Sequence, residues 1–157
     1  MLLKALARIL DKSIDLGSKI RYHFTFNKGD HQQIDRFINK CGFQDNIVYE
    51  GVLSYEQLLT LYKSAHALLF PSYIESLGLP LIEAASFGIP IIASDLPFAH
   101  DVVGNYEGAQ FVQYDKPELW EKAIISSCDK KSYTPMLTEI QNAWQPFFEL
   151  INELKCN

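Results

Sequence analysis

Two glutamates with seven residues between them, Glu75 and Glu83, bracket Gly78-Leu79-Pro80 in the segment PSYIESLGLPLIEAASFGIPIIASD, Pro71 to Asp95. A proline near a helix start is favoured because its missing N–H would have had no intrahelical partner. The pattern therefore predicts a helix opening near Leu79. Its unpaired N–H groups and the positive end of its dipole form an anion site that needs no basic side chain. A carboxylate accepts two hydrogen bonds from a vicinal diol, so Glu83 suits a ribose. Glu75, in the loop before the helix, suits a second polyol on the far side of a diphosphate. Those groups together describe a nucleotide sugar. The plainer reading is a first-turn glutamate favoured by the dipole and a solvated loop residue.

At roughly 100° per residue, Leu81, Ala84, Ala85 and Gly88 share one small apolar stripe, and Glu83 points nearly opposite. The stripe packs and Glu83 faces outward. On a parallel sheet, outward near the first turn means towards the crevice at the carboxyl ends of the strands, where open α/β folds place ligands.

Strand and helix signals alternate along the rest of the chain. A helix is expected at about residues 2–12 and a strand at 19–26, where Ile20, Tyr22, Phe24 and Phe26 alternate with Arg21, His23 and Thr25. A helix near 30–41 ends at Gly42, a residue suited to a left-handed cap. A strand at 46–50 follows, then a helix at 55–64 with Ser54 and Gln57 in capping-box spacing. The apolar runs at 66–71 and 89–94 suit strands buried on both faces. A short helix at 98–104, a strand at 109–113 and a helix at 117–128 complete the series. This alternation indicates an α/β fold, a Rossmann-like doubly wound parallel sheet. The tail from Thr138 to Lys155 carries Ile140, Trp144, Phe147, Ile151 and Leu154 at helical spacing, with a kink expected at Pro146.

At 157 residues and 48% hydrophobic, the chain suits one compact domain. A net charge of −5 argues against a nucleic-acid surface, which is usually basic. Cys41, Cys128 and Cys156 are odd in number and lack a C-x-x-C pair, so buried reduced thiols in the cytoplasm are expected instead of disulfides or a zinc site. His23, His31, His66 and His100 show no ligand spacing, and no metal is expected. In MLLKALARIL, Lys4 and Arg8 interrupt the apolar residues, which reads as an amphipathic helix and not a signal sequence. No stretch reaches the roughly 20 apolar residues of a membrane span, so any membrane contact is expected to be peripheral.

The E-x7-E segment in its Gly-Leu-Pro setting, with NIVYEGVLS, SYEQLLTLYKSA, ALLFPS, IPIIASD and the helix containing Trp144, resembles the donor-binding domain of retaining GT-B glycosyltransferases. That large family includes many bacterial capsule, O-antigen and lipopolysaccharide sugar transferases. The resemblance implies that Glu75 is the candidate catalytic residue, binding and positioning sugar hydroxyls near the reaction centre. Ser76, Leu77, Gly78 and Leu79 would line the sugar and diphosphate through their backbone. Glu83 would hold the ribose, and Gly51, Val52 and Leu53 would contact the base largely through the backbone. The donor is a nucleoside diphosphate sugar, with no further cofactor.

By the same resemblance, residues 1–135 form the donor domain, and 136–157 form a kinked helix that packs on it or crosses to an acceptor-binding domain. That second domain is absent from this chain, as are the family's first donor-domain strand and the Arg/Lys pair that neutralises the diphosphate. An open sheet edge is expected in consequence. Lys4 and Arg8 read as helix-face residues; Lys28 and Lys63 are the alternative cations, though the solvated surface charge is the favoured reading of each. The expected function is the donor half of a sugar transferase, excised or completed by a partner chain. A non-catalytic nucleotide-sugar-binding or partner-stabilising module is the alternative, and a related sugar epimerase a third reading.

Overall fold

The computed structural model describes residues 1–12, 17, 19–129 and 132–136. Helix α1 (Leu2–Lys12) precedes strand β1 (Tyr22–Phe24), helix α2 (Gln32–Cys41), a 3-10 turn (Gln44–Asn46) and strand β2 (Ile47–Tyr49). Helix α3 (Tyr55–Ser64), strand β3 (Leu68–Phe70), helix α4 (Leu79–Ser86) and strand β4 (Ile91–Ser94) follow. Helix α5 (Pro97–Val103), strand β5 (Ala109–Val112) and helix α6 (Pro117–Ser126) complete the described elements. The aromatic tail, with Trp144 and the kink expected at Pro146, lies outside the described residues, as does Cys156.

Every strand pair is parallel, as the alternating pattern requires, but the strands form two sheets. β1 pairs with β2, Tyr22 opposite Ile47. β4 lies between β3 and β5, Ile91 standing opposite both Leu68 and Ala109. Among the described residues no ladder joins β1 or β2 to the three-stranded sheet, so each sheet keeps open edges.

Two apolar clusters fill the layers. One gathers Ala5, Leu6 and Ile9 of α1, Tyr22, Ile38, Phe43, Ile47, Ile92 and the Trp120 and Ile124 face of α6, and so spans both sheets. The other gathers Tyr62 of α3, Leu81, Ala84 and Ala85 of α4, Ile91 and Ala93 of β4, and Val103 and Tyr106. Alternation along β4 divides Ile92 from Ile91 and Ala93, which is why all four β4 residues are buried. Each fully buried Leu or Ile side chain contributes about 1.5–3 kcal/mol.

The α1 amphipathic reading holds, and its polar face has a specific task. Arg8 Nε donates to Glu121 Oε2 at 2.6 Å and Lys12 Nζ to Oε1 at 2.7 Å, which ties α1 to α6. Glu121 has a side chain only 7% exposed, and those bonds satisfy both of its oxygens. Lys12, then Arg8, hold its carboxyl below the usual carboxylate range.

Local signals also mark the helix ends. Ser54 Oγ accepts the Gln57 N–H while the Gln57 side chain accepts the Ser54 N–H, a complete capping box. Gly42 caps α2 in the left-handed region. Several expectations change. The run at 66–71, expected to be buried on both faces, gives a strand whose three residues are only half-buried, because β3 lies at the edge of its sheet, and Cys128 is likewise only half-buried. The strand expected over 19–26 is confined to Tyr22–Phe24, because its ladder partner among the described residues, β2, is three residues long. Cys41 is exposed, not buried: it lies on the same helical stripe as Ile34, Phe37 and Ile38, but as the last residue of α2, beside the Gly42 cap, it falls beyond the packed part of that stripe.

Candidate functional site: the loop-to-helix junction after β3

The site grows from the carboxyl end of β3. The chain leaves Phe70, passes through exposed Tyr73 and Ile74, and turns at Gly78 into α4. Gly78 is the N-cap residue with φ +63°, ψ +38° and carries no side chain to cap the helix. A left-handed residue with a Cβ would be strained there, and the added atom would stand 3.2 Å from Leu81 Cδ1. Pro80 sits in the first turn and offers no N–H. The Leu81 N–H donates to the Gly78 carbonyl at 2.9 Å. The Leu79 N–H has no acceptor among the described residues, and it lies at the positive end of the α4 dipole.

The junction brings Glu75 and Gly78 together: a Cβ on Gly78 would lie 3.8 Å from Glu75 Cγ, so the acid folds back over the turn. Glu75 Oε1 accepts the backbone N–H of Ser76 at 3.0 Å. Ser76 and Leu77 are exposed, Gly78 is buried, and Leu79 is half exposed. An intramolecular carboxylate therefore occupies one of the N–H groups expected to meet a ligand.

The expected phase of α4 is observed on its apolar side, where Leu81, Ala84 and Ala85 are fully buried and Gly88 is buried behind them. Glu83 differs from the expectation that it simply faces outward. It is half-buried, and Tyr62 Oη donates to its Oε2 at 3.1 Å. Tyr62 comes from α3, twenty-one residues earlier, and stacks on Phe87 with ring centroids 5.8 Å apart. Its pKa is pushed well up, first by burial and then by the neighbouring carboxylate. Sequence reading missed this contact: Tyr62 bears only the signal of an apolar helix position.

Gly51, Val52 and Leu53 follow β2, in the smaller sheet. Gly51 is buried with φ +69°, and a Cβ there would stand 2.7 Å from Asn27 Oδ1. Val52 is 89% exposed. Leu53 lines an open groove with Glu50, His23 and the Gln57–Leu61 face of α3. His23 Nδ1 lies 2.6 Å from Glu50 Oε1 within it. Helix α3 thus flanks both parts of the site, through this groove on one side and Tyr62 on another. Of the cations considered, Arg8 is engaged by Glu121, and Lys28 and Lys63 are exposed.

The family model for glycosyl transferases group 1 matches residues 1–143. The chain belongs to that family. Among curated relatives, the O-antigen chain mannosyltransferase RfbU of Salmonella typhimurium is 38% identical over 81 residues, 52% of this chain and 22% of the relative. The D-inositol 3-phosphate glycosyltransferase of Streptomyces griseus is 27% identical over 129 residues, 79% of this chain and 27% of the relative. The chain thus spans about a quarter of the length of these relatives.

Family membership agrees with the fold. Sucrose-phosphate synthase from Thermosynechococcus elongatus superposes with a TM-score of 0.62 at 21% identity, covering 80% of this chain and 32% of that one. The pneumococcal O-GlcNAc transferase GtfA, in complex with UDP and GlcNAc, gives 0.57 at 18% identity, covering 82% and 24%. Both are GT-B glycosyltransferases, and the α/β fold read from the alternating pattern is the one they share with this group 1 chain.

Proposed function

We propose that this chain is the donor-binding half of a retaining glycosyltransferase that takes a nucleoside diphosphate sugar and serves bacterial surface polysaccharide synthesis. The observation carrying this reading is the junction itself: Glu75 folds over Gly78 at a helix start, and Glu83 stands one turn further along α4. In the complete enzyme the bond from the anomeric carbon to the diphosphate oxygen breaks, a bond to the acceptor hydroxyl oxygen forms, and the proton of that hydroxyl passes to the departing diphosphate. Glu75 orients the sugar hydroxyls. The backbone from Ser76 to Leu79 receives the diphosphate, which requires Glu75 to release the Ser76 N–H. Glu83 holds the ribose, and Gly51–Leu53 meet the base. Helix dipole and cations, with no metal, stabilise the leaving diphosphate.

The relative named as an O-antigen mannosyltransferase supports the polysaccharide role, and the neighbour containing UDP and GlcNAc supports the donor class. In this reading residues 1–135 are the donor domain. The site is cytoplasmic, with any membrane contact peripheral; among the described residues no helix is long and apolar enough to cross a membrane.

The cations that meet the diphosphate come, in this reading, from elsewhere in the complete enzyme. Arg8 and Lys12 are committed to Glu121, so the diphosphate lacks their charge. A helix terminus alone contributes about 0.3–2 kcal/mol per interaction. The test is to combine this chain with a polypeptide carrying an acceptor-binding domain and an Arg/Lys pair, and to assay sugar transfer. Transfer that needs both components supports the proposal. Ligand binding by the chain with no transfer by the pair supports the second reading, a non-catalytic binding module.

A further inference from the structure

The geometry around Glu83 goes one step beyond a carboxylate at a helix start. Tyr62 reaches it from another helix, is 6% exposed, and has its ring packed against Phe87 at an interplanar angle of 17°. The ring cannot swing away without opening the cluster around α4. Burial and the adjoining carboxylate keep the phenol protonated, so its hydroxyl donates to Glu83 Oε2. Glu83 Oε1 has no hydrogen-bond partner among the described residues. A glutamate side chain has several rotors, and fixing one oxygen in advance removes most of the ordering cost when the other meets a ligand.

We infer that Tyr62 is a positioning residue: it fixes Glu83 so that Oε1 meets a ribose hydroxyl, making the site select ribonucleotides over deoxyribonucleotides. This rests on the ribose reading of Glu83. The mechanism is pre-organisation, so Tyr62 touches no ligand atom. Its loss acts on selectivity for the hydroxyl and leaves the diphosphate contacts alone.

The test is an NMR titration of the whole chain with UDP and 2′,3′-dideoxy-UDP, and with GDP and 2′,3′-dideoxy-GDP, for the wild type, Glu83→Ala and Tyr62→Phe. The wild type is expected to favour the ribonucleotide of one pair by about tenfold or more, the size of a hydrogen bond to a charged group. Glu83→Ala abolishes that ratio. Tyr62→Phe lowers it several-fold, with dideoxynucleotide affinity unchanged. Because both ligands report on the same folded fraction, the ratio remains valid if the variant is partly unfolded. A wild-type ratio in Tyr62→Phe, with the ratio lost in Glu83→Ala, overturns the inference and makes Tyr62 a packing residue. A ratio that survives Glu83→Ala, or no binding by the wild type, overturns the ribose reading itself.

Discussion

Glu75 accepts the backbone N–H of Ser76 at 3.0 Å, so the acid that opens the E-x7-E segment closes on the backbone proposed to receive a diphosphate. The carboxylate stands where a ligand anion is expected. Diphosphate and Glu75 therefore compete for the Ser76 N–H, while sugar hydroxyls and Glu75 attract. Glu75→Ala is expected to bind free UDP or GDP at least as tightly as the wild type, and to lose about 1.5–3 kcal/mol of affinity for the matching nucleotide sugar. Parallel calorimetric titrations of nucleotide and nucleotide sugar measure both. Equal losses for the two ligands would contradict a role on the sugar side.

Gly78→Ala tests the turn. The residue is left-handed, and the new methyl would crowd Leu81 Cδ1 at 3.2 Å. A stability loss of about 1–2 kcal/mol is expected from urea unfolding. A variant as stable as the wild type would show that the turn adopts another conformation.

Glu121→Gln tests the tie between α1 and α6. Two charge-assisted bonds are lost, and their cations are partly solvated, so about 1–3 kcal/mol of stability is expected to go. The sign with pH follows from the lowered folded-state pKa: the contribution is present above the unfolded carboxyl pKa and is lost as pH falls through the folded value. Urea midpoints of wild type and variant should differ at about pH 7 and converge in strong acid, below both values. A difference that persists unchanged in acid would assign the effect to packing.

Ser54→Ala removes the hydroxyl that accepts the Gln57 N–H. A loss of about 0.5–2 kcal/mol is expected in thermal or urea unfolding. An unchanged midpoint would mean that the α3 start is held by its packing alone.

What was legible in the sequence was local. Ser54 and Gln57 signal a helix start within four residues, and Leu81, Ala84 and Ala85 carry the helical period on one face; both features are in the fold. The parallel α/β class followed from the order of such signals. Contacts between elements were not legible. Arg8 meets Glu121 across 113 residues, and Tyr62 meets Glu83 across 21, so no spacing rule links either pair. The division of the strands into two sheets depends on which edges pair, and apolar runs such as Leu68–Phe70 look alike beside one partner or two. Cys41 falls on the helical stripe of Ile34, Phe37 and Ile38, yet its place as the last residue of α2 leaves it exposed.

Calorimetric titration of UDP- and GDP-sugars into the intact chain and into Glu83→Ala tests the central claim most directly. The account predicts weak but saturable binding of one class by the wild type, and a loss of about 1.5–3 kcal/mol when the Glu83 carboxylate is removed. Equal affinity for wild type and variant would contradict it and return Glu83 to the role of a helix-surface glutamate paired with Tyr62.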